Sequence, residues 1–171
     1  MSQPEAWLRG PFEGVAPMLM PAAHALVQAS EDLERAASGL TREEMWVKPG
    51  GAASLGFHLR HIAGSTDRLL TYARGEQLTE GQRQALALEQ QPGDPPADTA
   101  TLLREAQAAI ERALAAMLAV SKESLFDPRS IGRSVLPTNV FGILCHIAEH
   151  TQRHTGQTIT TAKIVRGLGL H

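Results

Sequence analysis

The sequence predicts an all-α fold, a four-helix bundle, from three observations. Alanine and leucine abound while aromatic residues make up only 4% of the 171 positions, a balance that favours helix over sheet. Several long segments repeat their apolar residues with the period of an amphipathic helix, and no convincing strand pattern lies between them. Glycine, proline and capping residues cluster in the gaps, where helices must start and stop.

Residues 1–20 carry three prolines (Pro4, Pro11, Pro17), with Pro21 just after them, and read as an irregular arm ahead of a single bundle domain, 21–171. The first helix is expected from Pro21 to Ser38: proline is tolerated in a first turn, and Gly39 stops the helix. Its apolar stripe is Leu26, Ala29, Leu33 and Ala36. Thr41-Arg42-Glu43-Glu44 reads as a capping box, and Pro49-Gly50-Gly51 breaks the chain. Ser54 is placed to cap a second helix ending near Gly75, with Leu55, Leu59, Ile62, Leu69 and Ala73 on its buried face. A short extra helix over 78–90 precedes a Pro92-Gly93-Asp94-Pro95-Pro96 linker. The third helix spans about Asp98 to Val120, with Leu103, Ala106, Ile110, Leu114 and Met117 on one side. Residues 124–137 read as a loop. Thr138 or Asn139 then caps a fourth helix running to about Arg166, before Gly167. One connection is short and the others longer, so strict up-down-up-down order does not follow.

Bulk composition excludes several classes. The chain is 43% hydrophobic and 20% charged, with 16 basic and 18 acidic residues and a net charge of −2. With no basic run, nucleic acid is not the expected partner. A single cysteine, Cys145, precludes an internal disulfide framework and fits a reducing compartment. No signal-peptide pattern and no apolar run of roughly 18–20 residues appears, so a cytoplasmic protein without a membrane partner is expected.

Two helical segments carry clustered histidines: His58 and His61, then His146, His150 and His154. Counting about 100° per residue with His150 at zero, the apolar residues Val140, Ile143, Leu144, Ile147, Ala162 and Val165 centre near roughly 60°. His154 then falls at about 40° and faces inward with His150, while His146 at about −40° sits at the boundary. Two imidazoles one turn apart on an inward face are costly to bury unpaired and repel if both protonate. A shared metal ion removes both objections, because neutral imidazole is the ligand form. On the second helix His58 lies about 60° from the centre of the buried face and His61 about 120°, so periodicity favours His58, and a wide buried face admits both. His24 reads as a hydrogen-bonded core residue and Cys145 as a bystander on the polar side.

His146-Ile147-Ala148-Glu149-His150 matches the inverted metalloprotease signature H-x-x-E-H. That chemistry needs the glutamate beside the metal as general base, and Glu149 falls on the polar side with no acidic residue after it. The match is read as coincidence.

Gly56-Phe57-His58-Leu59-Arg60-His61-Ile62-Ala63, followed by Asp67-Arg68-Leu69-Leu70, resembles the first histidine motif of the DinB/YfiT-like superfamily. His150-Thr151-Gln152-Arg153-His154-Thr155-Gly156-Gln157 resembles its second motif, and Leu168-Gly169 its close. The likeness covers about residues 20–169. It implies a four-helix bundle with a three-histidine site for zinc, nickel or a similar divalent ion, and ligands His61, His150 and His154. Family and periodicity thus differ on the second helix, with His58 the alternative to His61. Thr155 stands where the family often has arginine, a difference that touches substrate contacts rather than the metal. The resemblance further implies a metal-dependent enzyme acting on a small molecule, either a transferase using a low-molecular-weight thiol or a hydrolase. No carboxylate stands out as a general base, so thiol transfer is preferred. A non-catalytic, stress-related metal-binding module is the other expectation, and a homodimer is expected in either case. The arm, with Trp7, Arg9 and Phe12, is a candidate cover for the site.

Overall fold

The computed structural model describes residues 3–169. In chain order it contains helix α1 (Met20–Ala37), the short α2 (Arg42–Met45), α3 (Leu55–Ala73), α4 (Glu80–Leu88), α5 (Thr99–Ala119), strands β1 (Pro128–Ile131) and β2 (Leu136–Asn139), and the long α6 (Val140–Gly167). The chain is all-α in class, and α1, α3, α5 and α6 form the four-helix bundle.

Helix starts follow the capping residues. Ser54 accepts the Phe57 amide, Asp98 that of Thr101 and Asn139 that of Gly142. Reciprocal capping boxes open α2 (Thr41 with Glu44) and α4 (Thr79 with Gln82). Each such cap satisfies an otherwise orphaned amide and contributes on the order of 1 kcal/mol. Of the two candidate caps for the last helix, Asn139 is the one used.

In the bundle α1 packs against α5 and α6, and α3 also packs against α5 and α6. The first two bundle helices in sequence, α1 and α3, therefore sit on a diagonal. Pairing fixes direction. Gln152 donates to the Ala25 carbonyl at 2.6 Å, and Arg166 to the Ala36 and Ser38 carbonyls at 2.9 and 2.7 Å. Residue numbers rise together, so α1 and α6 run parallel. Across α3 and α6, His58 meets His154 and His61 meets His150, an antiparallel arrangement. The 74–98 connection, which contains α4, is long enough to return the chain and start α5 alongside α3.

The core runs the length of the bundle. Leu26, Leu33, Leu55, Leu59, Ile62, Leu102, Ile110, Met117, Leu144 and Ile147 are all fully buried. Every apolar residue expected inward on the first and last helices is buried; on α3 and α5, Leu69, Ala73, Leu103 and Leu114 are only partly so. Two buried threonines on α6 return their hydroxyls to the preceding turn, Thr155 to the Thr151 carbonyl and Thr158 to that of His154, both at 2.8 Å, which satisfies them within the helix.

Two segments differ from the sequence reading. Residues 128–137, expected within a loop, form with Thr138 and Asn139 an antiparallel hairpin in which Pro128 pairs with Asn139 and Ile131 with Leu136. Its strands are four residues each and contain Pro128 and Pro137, so local propensity carries no signal. Tertiary bonds hold it instead: Arg129 donates to the Ala73 carbonyl at 2.7 Å, and the Phe141 amide to Leu125 at 2.7 Å. The N-terminal arm lies against α1 through two 3-10 turns. Arg9 makes two hydrogen bonds to Glu31, the Ala6 amide donates to Gln28 at 2.9 Å, and His24 pairs with the Gly10 carbonyl at 2.8 Å. Trp7 is 63% exposed. His24 is thus hydrogen-bonded as expected, but only half-buried, clamping the arm rather than sitting in the core.

Candidate metal centre

The antiparallel contact of α3 and α6 brings four imidazoles together, two from the first turns of α3 and two from the middle of α6. Ser54 sets the phase of α3, and the inward stripe Leu55, Leu59 and Ile62 anchors it, which places His58 and His61 on the side facing α6. On α6, Ile143, Ile147 and Thr151 anchor the core side and leave His150 and His154 facing α3.

One ligand atom from each of His61, His150 and His154 can be chosen so that all lie within 4.8 Å of one another. Nε2 of His61 is 2.9 Å from Nε2 of His150. The ring centroids of His61 and His154 are 4.6 Å apart, as are those of His150 and His154. The donor set suits a divalent ion: imidazoles converging from two helices, with the buried Nδ1 of His150 finding no hydrogen-bond partner among the described residues. Such an orphan is uncommon in a folded interior and calls for an explanation such as an ion. His58 lies behind this group. Its Nδ1 is 3.0 Å from Nδ1 of His154, and it is only 4% exposed. A neutral pair satisfies that contact if one ring donates; with His154 as donor, its Nε2 keeps a free lone pair.

The environment disfavours the protonated form of His58, His150 and His154. Burial, then the charge of His61, pushes His58 down to about 4. Burial, then the charges of His61 and His146, pushes His150 to about 4. Burial followed by His61 and His150 takes His154 to about 3. Clustered imidazoles in a partly dry site disfavour protons on one another, and the neutral form is the one a metal takes. Phe57 walls one side, stacked on His61 at 5.3 Å and edge-on to His58 at 5.3 Å.

Two residues of the site were given no role by the sequence, Arg68 standing there only within the first motif. Glu89, just past α4, is 3% exposed, and its Oε2 is 2.6 Å from Nδ1 of His61. Arg68 on α3, 9% exposed, donates to Oε1 of Glu89 at 2.6 Å. The available signal was Gly64. It lies inside a helix, where glycine is unfavourable, and a Cβ there would come within 2.4 Å of Glu89 Oε1.

The other flagged residues stand apart. His146 is exposed and pairs with exposed Glu149, which also binds Arg153, so Glu149 points away from the cluster. Burial raises Cys145, making its thiol less reactive. Gln157 is exposed, and Thr155 is buried against its own helix. A cavity of about 630 Å³ opens between α3, α4 and α5, lined by Arg60, Ala63, Leu88, Glu89, Ala108 and Arg112 among others. It meets the histidine cluster only through Glu89. No described helix is long and apolar enough to cross a membrane.

Comparison with known proteins gives one match of note: the model of the DinB superfamily matches residues 25–158, a span holding all four bundle helices in whole or large part. No curated protein matches the chain.

Proposed function

This chain belongs to the DinB superfamily, and we propose that it is a metal-dependent enzyme whose divalent ion is held by His61, His150 and His154. The observation that carries this reading is the convergence of those three imidazoles to within 4.8 Å. Zinc and nickel are the proposed ions, since both accept neutral imidazole readily. Three protein donors are fewer than such an ion takes, so positions remain for a substrate, as in catalytic rather than structural sites. The bound ion would supply Lewis acidity toward a thiol, a water or a carbonyl.

Transfer involving a low-molecular-weight thiol fits better than hydrolysis. Hydrolysis calls for a free base near the reacting water. Glu89 is the carboxylate at the cluster, and both its oxygens are engaged, one by His61 and one by Arg68. A thiol ionises far more easily than water and needs no such base. The chain's own part is then to hold three neutral imidazoles in place and to shield one side of the site with Phe57.

Purified protein should contain a divalent metal by elemental analysis, and zinc- or nickel-loaded protein should consume a small thiol when given an electrophile such as a chloronitroarene. His154→Ala should abolish both metal content and turnover. Tight metal binding without turnover for any thiol and electrophile pair would favour the non-catalytic module. Absence of metal affinity would end the reading.

A further inference from the structure

Glu89 has no role in the bundle core, yet it is buried. No residue of α4 is buried, and the loop after it is exposed, so the segment contributes little to the fold apart from this one carboxylate. Burying a carboxylate is costly unless its oxygens are satisfied, and here three features on α3 provide for it. His61 meets Oε2 through Nδ1 at 2.6 Å, and Arg68 meets Oε1 at 2.6 Å. Gly64, between them, leaves the space: a Cβ there would lie 2.4 Å from Oε1 of Glu89 and 2.8 Å from Nη1 of Arg68. The rest of α4 is fastened to the same helix by Gln82, which donates to Asp67 at 2.7 Å and Thr71 at 2.8 Å.

We propose that Glu89 is the positioning residue of the metal centre: by accepting the Nδ1 proton of His61 it fixes that ring's tautomer and direction, and so couples ion binding to the docking of α4. The inference rests on His61 being a ligand. With Nδ1–H donated to Glu89, the lone pair of Nε2 is aimed at His150, 2.9 Å away. A carboxylate behind a ligating imidazole orients it and makes it a better donor. Arg68 occupies the second oxygen, so the carboxylate is kept facing the ring instead of entering the site itself. The coupling is reciprocal: an ion that favours this ring position favours the docked α4, and a docked α4 favours the ion.

Three variants test it, Glu89→Ala, Glu89→Gln and Gly64→Ala, with helix content by circular dichroism as the control for folding. Zinc affinity, measured by competition with a chelating dye, should fall about 10–100-fold in Glu89→Ala. The drop should be smaller in Glu89→Gln, which keeps an acceptor for the ring. Gly64→Ala should also weaken zinc although Glu89 is intact and the helix gains a better former. In metal-free protein, the ring ¹⁵N shifts of His61 should show the Nδ1–H tautomer in the wild type and a mixture in Glu89→Ala. Zinc should slow amide exchange in α4 of the wild type and not of Glu89→Ala. Zinc binding lost in His61→Ala but unchanged in Glu89→Ala and Gly64→Ala, with the His61 tautomer also unchanged, would overturn the inference and leave the metal reading standing. A wild-type protein that binds no zinc would overturn both.

Discussion

Acidification of the metal-free protein should destabilise it well above the range where carboxylates titrate. His58 and His150 are lowered from 6.5 to about 4, and His154 to about 3, chiefly by burial. A histidine lowered in the folded state holds fewer protons folded than unfolded. Its contribution is therefore fully present above the unfolded value and is lost as pH falls from about 6.5 toward about 4. For one imidazole with those two values, the loss between about pH 7 and about pH 4.5 integrates to about 2.4 kcal/mol. The rings are partly solvated, so half that figure is reasonable. Together the three give about 4 kcal/mol, a large share of the roughly 5–15 kcal/mol of a typical domain. At this chain length that corresponds to a fall of roughly 8–16 °C in melting temperature. Thermal unfolding by circular dichroism across a pH series, with chelator present, reads it directly. Carboxylates such as Glu31, lowered by its hydrogen bond to Arg9, lose their contribution below about pH 4.5 and leave the upper part of the window to histidine. His58→Gln should flatten the slope. A melting temperature constant from about pH 7 to about pH 5 would refute the picture of buried neutral rings.

Other outcomes follow from particular contacts. Replacing His61 with alanine should remove bound metal while His58→Ala leaves most of it, by elemental analysis of each variant; the reverse pattern would make His58 the ligand. Leu59→Ala, at a fully buried position, should cost about 2–5 kcal/mol in urea unfolding. Asn139→Ala removes the cap on the Gly142 amide at 2.7 Å and should cost about 1 kcal/mol by the same assay. In Gly56→Ala a new Cβ would meet the Trp46 ring at 2.7 Å; the indole should leave the Ala97 carbonyl and the Arg60 guanidinium it now contacts, changing the tryptophan emission.

Much of the fold was legible because its causes are local. Ser54, Asp98 and Asn139 announce helix starts with their own side chains, and the stripe from Leu26 to Ala36 shows which side of α1 turns inward. The direction of the bundle was less so. The parallel run of α1 and α6 depends on where the 74–98 connection returns the chain, which no periodicity encodes. The hairpin at 128–139 was missed because its pairing rests on bonds to Ala73 and Leu125, far away in sequence or outside the strands.

The site divides the same way. Facing angles placed His150 and His154 together, and they do converge. Periodicity ranked His58 as more buried than His61, and it is. Burial and nearness to the pair are separate properties: the three nitrogens within 4.8 Å of one another come from His61, His150 and His154, at the seam between α3 and α6. Glu89 was invisible for a different reason: it lies just past a surface helix, and it is buried against His61, Gly64 and Arg68 on another element.

By itself, then, the sequence determined the helices, their inward faces and the histidine pair on α6, since each depends on neighbours within a turn or two. Tertiary structure brought a nitrogen of His61 within 4.8 Å of that pair and set Glu89 behind it. Both depend on the axial offset of α3 against α6 and on the docking of α4, which are set by side-chain packing between segments far apart in the chain.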